Sequence, residues 1–401
     1  MLRALSLLVM IAALGLPAQP AASAEALPRH KVIIDQDAFG PGGPNLQPIL
    51  MLLQAPDIEV LGITVESGDG WQKENVAHTL RMLVVCFVNS SPYRACQKRP
   101  AKAQRAGNGH SLVKRCNAGR ALLAGSLRAT YPLINSEAAT ARWETLYGKL
   151  AYKGAWTRSW PAGSVTRTPY HAADVVPPLL EGAPTLQSAN ETAAAFMVRK
   201  VREFPGEVTI LGLGPFTNIA LATRLDEGFA AHAKQLVFMG GSFNPDASGT
   251  DEFSLQFIYS PRTEFNSRWD PEAAQMMLHA GWKSITSIPL DATVPAQLTP
   301  ALVKQAGAGN TPVARYFARY AEAGFPMWDE VAAAVLIKPS IATATTKLAM
   351  DVVIDHGAAY GATLSWPTGA GPGLGGPDVT VVRAVDVGRL DDLFVQLLQG
   401  K

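Results

Sequence analysis

The stretch from Lys31 to Asn45 constrains the chain more than any other. Val32-Ile33-Ile34 runs straight into Asp35-Gln36-Asp37 and then into the turn Gly40-Pro41-Gly42-Gly43-Pro44-Asn45. Three β-branched residues followed by a glycine-rich turn read as a buried strand that ends in polar residues. In a strand, residues i and i+2 share a face, so the pattern presents the carboxylates of Asp35 and Asp37 side by side. Holding them there is costly unless a cation, a proton or several hydrogen bonds accompany them. The motif supports two readings: a hard-metal or general-base site, or a pair of acids that cap the next helix and stabilise the turn.

The chain beyond this strand alternates between strand and helix patterns. A short apolar helix is expected over 46–54, a strand over 57–64 and a helix over 73–85. That order and those lengths suit a right-handed parallel crossover. Loops of such a sheet gather at the carboxyl ends of the strands, which brings Asp69, in Glu66-Ser67-Gly68-Asp69-Gly70-Trp71, across one crevice from Asp35 and Asp37. Farther on, a helix over 191–203 and a strand over 208–213 precede the tight turn Gly214-Pro215-Phe216-Thr217-Asn218. Thr217 or Asn218 is expected to cap the helix 219–225. A strand over 235–239 follows, Asp270-Pro271 opens another helix, and a strand lies near 284–290. Helices near 300–306, 312–323 and 331–337, strands over 349–354 and 379–385 and a helix over 390–398 complete the chain. The expected fold is α/β, a single doubly wound, mostly parallel open sheet forming one domain over 25–401.

With 401 residues, 48% of them hydrophobic, the chain has ample material for a sizeable core, which excludes disorder as its overall state. A net charge of +2 does not make a polyelectrolyte, so no nucleic-acid partner is expected. Met1-Leu2-Arg3, the apolar run 4–16 and Ala22-Ser23-Ala24 have the form of a signal peptide cleaved after Ala24. The expected product is periplasmic or secreted, with no membrane attachment once the leader is removed. Export permits a disulfide, with Cys96 and Cys116 the first pair to consider and Cys86 buried and unpaired. From about 86 to 130 the chain is strongly basic, and no acid stands between Glu74 and Glu137. This segment reads as a solvated insertion, with an anionic-surface patch or a locally shifted reading frame as the other readings. Residues 131–170, rich in Trp, Tyr, Gly and Pro, read as an irregular excursion near the crevice.

Taken in order, several blocks resemble the inosine-uridine-preferring nucleoside hydrolase family. They are Asp35-Gln36-Asp37; Glu59-Val60-Leu61-Gly62-Ile63-Thr64; Leu213-Gly214-Pro215-Phe216-Thr217-Asn218-Ile219-Ala220 with Met239-Gly240-Gly241; and Glu264-Phe265-Asn266 through Asp270-Pro271-Glu272. Trp328-Asp329 with Ile337-Lys338-Pro339 matches more loosely. The resemblance implies a Rossmann-like fold and a calcium-dependent N-ribosyl hydrolase acting on a small-molecule nucleoside, with a homo-oligomer compatible with it. By resemblance, Asp37 is the base that takes a proton from a calcium-bound water, and Asp37, Asn45, the Leu213 carbonyl and Asp329 are the metal ligands. Glu264 and Asn266 match residues that hold the ribose hydroxyls, with Asn244, Asp69 and Trp328 completing the substrate contacts and Asp35 supporting from behind. The family pattern continues after the equivalent of Asp37 to two consecutive aspartates, whereas here the turn ends in Asn45 and no acid follows. Asp69 stands where an asparagine is usual, and Trp328 where purine-preferring members place a histidine. The alternative these departures raise is a catalytically weakened exported protein that binds a nucleoside or another ribosyl compound.

Overall fold

A computed structural model describes residues 29–88, 122–125, 174–244, 262–372 and 376–401. The leader, Cys96, Cys116, most of the basic segment and the 131–170 excursion lie outside the described residues. The first strand, β1 (His30–Gln36), is buried on both faces. Val32 and Ile34 pack into one core with the helices Gln47–Gln54, Trp328–Ile337 and Val387–Gln399. Ile33 packs into a second core with Phe196, Phe216 and Phe229. A strand with helices on both sides has no polar face, which is why its apolar run does not alternate.

The remaining strands are β2 (Ile58–Val65), β3 (Leu122–Gly125), β4 (Ala189–Thr192), β5 (Val208–Gly212), β6 (Gln235–Met239), β7 (Ile285–Ile288), β8 (Gln297–Leu298), β9 (Phe325–Pro326), β10 (Ala342–Val352), β11 (Thr363–Pro367) and β12 (Asp378–Val385). The main sheet has ten strands in the order β11-β10-β12-β7-β6-β5-β1-β2-β3-β4, and β8 pairs with β9 apart from it. Every pairing from β12 across to β4 is parallel, while β10 and β11 close one edge antiparallel. The chain leaves β1 to one side for β2 and returns on the other side for β5. That reversal puts a topological switch point at β1, and the crevice outside its carboxyl end is where such sheets bind ligands.

The doubly wound sheet is the one expected from the sequence, and several local readings are corrected. The helix expected over 191–203 gives its first residues to β4 and begins at Ala193, with the Thr192 hydroxyl accepting from the Ala195 N–H. β10 begins at Ala342 because its first half is exposed and carries Thr345, Thr346 and Lys347, which hid it from an apolar search. β11, an edge strand of five residues, Thr363-Leu364-Ser365-Trp366-Pro367, shows no apolar run that marks it in the sequence. The helix expected over 312–323 ends at Tyr320. The helix Gln72–Leu83 runs on through a wider turn, Val84–Val88, in which Cys86 is buried and free. Within the expected basic insertion, Leu122–Gly125 is a strand of the sheet, paired with β2.

The last helix closes the larger core. Its Phe394 is fully buried and meets the Phe317 ring edge-on at 5.4 Å. Phe394→Ala is expected to lower unfolding stability by about 3–5 kcal/mol, the usual cost of emptying a buried aromatic site, read from the urea midpoint at unchanged m-value.

Candidate active site at the end of the central strand

Asp35 and Asp37 occupy different levels of the crevice. Asp35 is fully buried, on the Ile33 side of the sheet, and its Oδ1 accepts hydrogen bonds from Thr64 Oγ1 at 2.6 Å and Asn218 Nδ2 at 2.9 Å. Its Oδ2 is buried and has no donor. Burial pushes its carboxyl up to about 7, against the pull of those two donors. Asp37 lies just past the strand, where Oδ1 accepts from Asn45 Nδ2 at 2.9 Å and Oδ2 from the Asp69 N–H at 2.7 Å. The Asp69 bond depends on Gly68, since a Cβ there would lie 2.1 Å from Asp37 Oδ2.

Gln36 projects to the opposite side and organises the turn. Its Oε1 accepts from the Asp37 N–H, and its Nε2 donates to the Asn45 carbonyl and to Asp329 Oδ2, each at 2.9 Å. One side chain thereby ties the strand end, the glycine-rich turn and the first turn of the helix Trp328–Ile337 together. The turn itself fits only with glycine at 42, where φ is +78° and a Cβ would lie 2.1 Å from the Tyr320 carbonyl oxygen.

On the other side of β1, the turn after β5 is held from outside. The helix Thr217–Leu225 has no side-chain cap of its own, which corrects the assignment of Thr217 or Asn218. Thr217 Oγ1 donates instead to Asp270 Oδ2 at 2.7 Å, and the residue at the cap position, Phe216, is left-handed with φ 67°. For a side chain of that size the conformation costs about 1–3 kcal/mol and needs its surroundings to impose it. Glu66 supplies part of that restraint: Oε1 accepts from the Phe216 N–H at 3.0 Å and Oε2 from the Asn218 N–H at 3.1 Å. Asn266 Nδ2 joins the ends of β5 and β6 by donating to the Leu213 and Met239 carbonyls at 3.3 and 3.1 Å. Glu264 caps the helix Phe265–Trp269, its Oε1 taking the Asn266 N–H and its Oε2 the Ser267 and Gly241 N–H groups.

The acids share one electrostatic problem. Asp37 and Asp329 are pushed well above the usual carboxylate range, first by burial; the Asp69 charge adds to it at Asp37, and the Glu330, Asp37 and Asp69 charges add at Asp329. Asp69, half-buried at the rim, is raised by desolvation to about 6. Among the described residues no three His, Cys, Asp or Glu side chains close on one point tightly enough to hold a metal ion by themselves. Amide and carbonyl oxygens extend the set, because Asn45 Oδ1 is buried without a donor and the Leu213 carbonyl stands at the same edge. Carboxylates with one amide and one carbonyl are an all-oxygen donor set, and that set fits a hard cation of the calcium type.

Of the residues singled out from sequence, the structure brings Asp37, Asn45 and Asp69 into direct contact, and Gln36 links Asp329 to them. Leu213 and Asn266 are bonded to each other, with Glu264 one turn away. Trp328 is half-buried at the helix start beside Asp329. Asn244 stands apart, exposed, its N–H donating to Asp291 Oδ1 at 2.8 Å. Sequence patterning gave Gln36 and Glu66 no role, and read Asn218 and Asp270 only as residues at helix starts. For Glu66 a signal existed, since Thr64 and Glu66 repeat on β2 the i, i+2 spacing of Asp35 and Asp37.

An open parallel sheet whose switch-point crevice gathers buried acids defines an α/β protein with a polar ligand site. The model of the family described as inosine-uridine preferring nucleoside hydrolase matches residues 32–392, and the chain belongs to that family. It is 31% identical over 259 residues to a probable uridine nucleosidase 1 of Oryza sativa subsp. japonica, covering 65% of this chain and 58% of the relative. It is 27% identical over 192 residues to the pyrimidine-specific ribonucleoside hydrolase RihB of Escherichia coli, covering 45% and 57%. The chain thus spans about three-fifths of the length of the curated relatives it matches. Among solved structures, a plant nucleoside hydrolase, PpNRh1, superposes with a TM-score of 0.64 at 21% identity over 93% of this chain and 99% of that one. A purine-preferring ribonucleoside hydrolase from Gardnerella vaginalis gives 0.63 at 19% over 92% and 98%. These likenesses bear on the fold alone.

A pH dependence follows from the raised acids. Asp35, near 7, and Asp270, pushed by burial to about 6, hold protons in the folded chain that they release in the unfolded one above about 4. Their contribution to stability without metal is therefore fully present below about 4 and is lost as pH rises from about 4 through 7. Asp35→Asn keeps an acceptor for Thr64 and Asn218 and is expected to flatten that decline, measured by thermal melts in chelator across the range.

Proposed function

We propose that the protein hydrolyses the N-glycosidic bond of ribonucleosides, or of a related ribosyl compound, with Asp37 as general base and calcium as cofactor. The observation that carries this reading is the Asp37 carboxylate, buried at the switch point and aimed by donors from two separate loops, Asn45 Nδ2 and the Asp69 N–H. A base held in this way takes a proton with little reorganisation. Its raised proton affinity favours that transfer once the site is charged and ready. Asp37, Asn45 Oδ1, the Leu213 carbonyl and Asp329 are the groups that would hold the ion, which when bound lowers the pKa of a coordinated water.

Rupture of the bond to the base develops positive charge on the sugar, and the negative potential of Asp37, Asp69 and Asp329 stabilises it. Trp328, on the same helix as Asp329, offers an indole face against which the departing base can stack, and indole does not serve as its proton donor. Glu264 and Asn266 meet a ribose after releasing some of their present backbone partners. The uridine and pyrimidine specificity in the names of the relatives makes a pyrimidine nucleoside the first substrate to try. Residues 1–24 act as the export leader of this enzyme, which works in the periplasm or outside the cell.

A second reading, an exported protein that binds a ribosyl ligand without turnover, is favoured by two observations. Asn45 replaces an acid in the turn, and both Glu264 oxygens are taken up by backbone N–H groups. A panel of ribonucleosides assayed with and without chelator separates the two. The enzyme reading expects ribose release that chelator removes and that Asp37→Ala lowers by about 10³-fold or more, in keeping with loss of a general base that also holds the metal. Tight binding with no ribose released sinks it. Calorimetric titration with calcium is expected to show at least tenfold weaker binding in Asp329→Ala, and an unchanged isotherm removes Asp329 from the ligand set.

A further inference from the structure

We propose that Glu66 is a positioning residue for this reaction: from just past β2 it clasps the turn after β5 and so fixes the backbone that follows the Leu213 carbonyl against Asp37. The inference rests on the hydrolase reading above. An ordinary helix cap comes from the residue just before the helix, but here Phe216 occupies that place and offers no polar side chain. The donors are met by a carboxylate from a strand two places away in the sheet, reaching over the end of β1. Glu66 is 1% exposed, and its two oxygens accept two N–H groups at the helix start that have no carbonyl partner within the helix.

The clasp is connected to the reacting centre by short links. The Glu66 N–H donates to the Gln36 carbonyl at 3.1 Å, and the Leu213 N–H to the Asp35 carbonyl at 2.8 Å, so both partners are registered on the backbone that leads into Asp37. Gly214 lies between them, where a Cβ would stand 2.7 Å from Glu66 Oε1 and 2.9 Å from the Asp37 nitrogen. Asn218, whose N–H Glu66 accepts, also donates its side-chain amide to Asp35. The left-handed Phe216 sets the direction in which the chain leaves Leu213. The Phe216 ring packs edge-on against Phe238 at 5.5 Å, and Glu66 holds the backbone of the same residue. Releasing the carboxylate frees the peptide planes of 214–216 and leaves Asn266 to hold the Leu213 carbonyl, without removing any group that touches substrate.

The test compares wild type, Glu66→Gln and Glu66→Ala by calcium titration, steady-state kinetics on the best nucleoside and amide hydrogen exchange. Glu66→Gln has the same shape and keeps one acceptor, so it stays informative if the alanine variant fails to fold. Expected in Glu66→Ala are at least tenfold losses in calcium affinity and kcat with KM within about threefold, and faster exchange at Phe216 and Asn218. Glu66→Gln is expected to fall between it and wild type. Gly214→Ala, which forces the clasp apart from the other side, is expected to reproduce the loss. A role in folding alone predicts a lower melting temperature with kcat and calcium affinity unchanged well below it, and that result overturns the proposal. A wild type that binds calcium and releases ribose, beside variants indistinguishable from it, overturns the Glu66 role and leaves the hydrolase reading standing. A wild type that does neither overturns both.

Discussion

The site depends on one constraint, the burial of negative charge without a basic side chain to balance it. Asp35, Asp37, Glu66, Asp270 and Asp329 all lie inside the carboxyl edge of the sheet. Among the described residues no Lys or Arg bridges any of them. Their bonds come instead from neutral donors: the Thr64 and Thr217 hydroxyls, the Gln36, Asn45 and Asn218 amides, and backbone N–H groups at helix starts and loop bends. Neutral donors satisfy hydrogen-bonding capacity but leave the charge in place, so the acids stay raised in proton affinity. The same condition makes a site receptive to protons, to a divalent cation, or to positive charge that develops in a substrate.

An amide at the end of the glycine-rich turn sets what that turn can do. An aspartate at 45 would add another buried carboxylate and accept hydrogen bonds only. Asn45 both donates, to Asp37, and retains a carbonyl oxygen with no donor. Gln36 likewise donates to Asp329, although its own carbonyl oxygen is taken by the Asp37 N–H. Two amides therefore hold the two acids in place before any ion arrives, and the turn gains rigidity where it gives up electrostatic attraction. Rigid placement and weaker attraction have opposite effects on cation affinity, so the two must be weighed by measurement at this site rather than by counting carboxylates.

Much of the architecture was legible because its determinants are local. The apolar run of β1 and the proline-led helices beginning near 271, 300 and 312 are carried by neighbouring residues, whereas the last helix, expected from 390, starts at Val387 behind an Asp386 cap that the apolar pattern does not mark. Asp69 could be brought to Asp37 from topology, whereas Asn45 entered the site through the family resemblance. What escaped was set by distant partners. Glu66 looks like a loop residue until the turn 150 positions later supplies its two N–H groups, and Gln36 looks like strand interior until Asp329 arrives 293 positions later. Phe216 is a poor residue for a left-handed conformation, so no local preference announces it. β10 was shortened in the sequence reading because its exposed half carries no apolar alternation.

The position of β1 has a bearing on how the protein is made. Its two neighbours come from opposite parts of the chain, β2 directly after it and β5 well over a hundred residues later, and Asp329 belongs to a helix later still. Closing contacts over such separations is slow. An early assembly of β1, β2 and the helix between them holds Asp37 and Asn45 but lacks the carbonyl edge and the last carboxylate. The crevice is thus a late product of folding, and a ligand that needs the whole crevice stabilises only molecules that have finished.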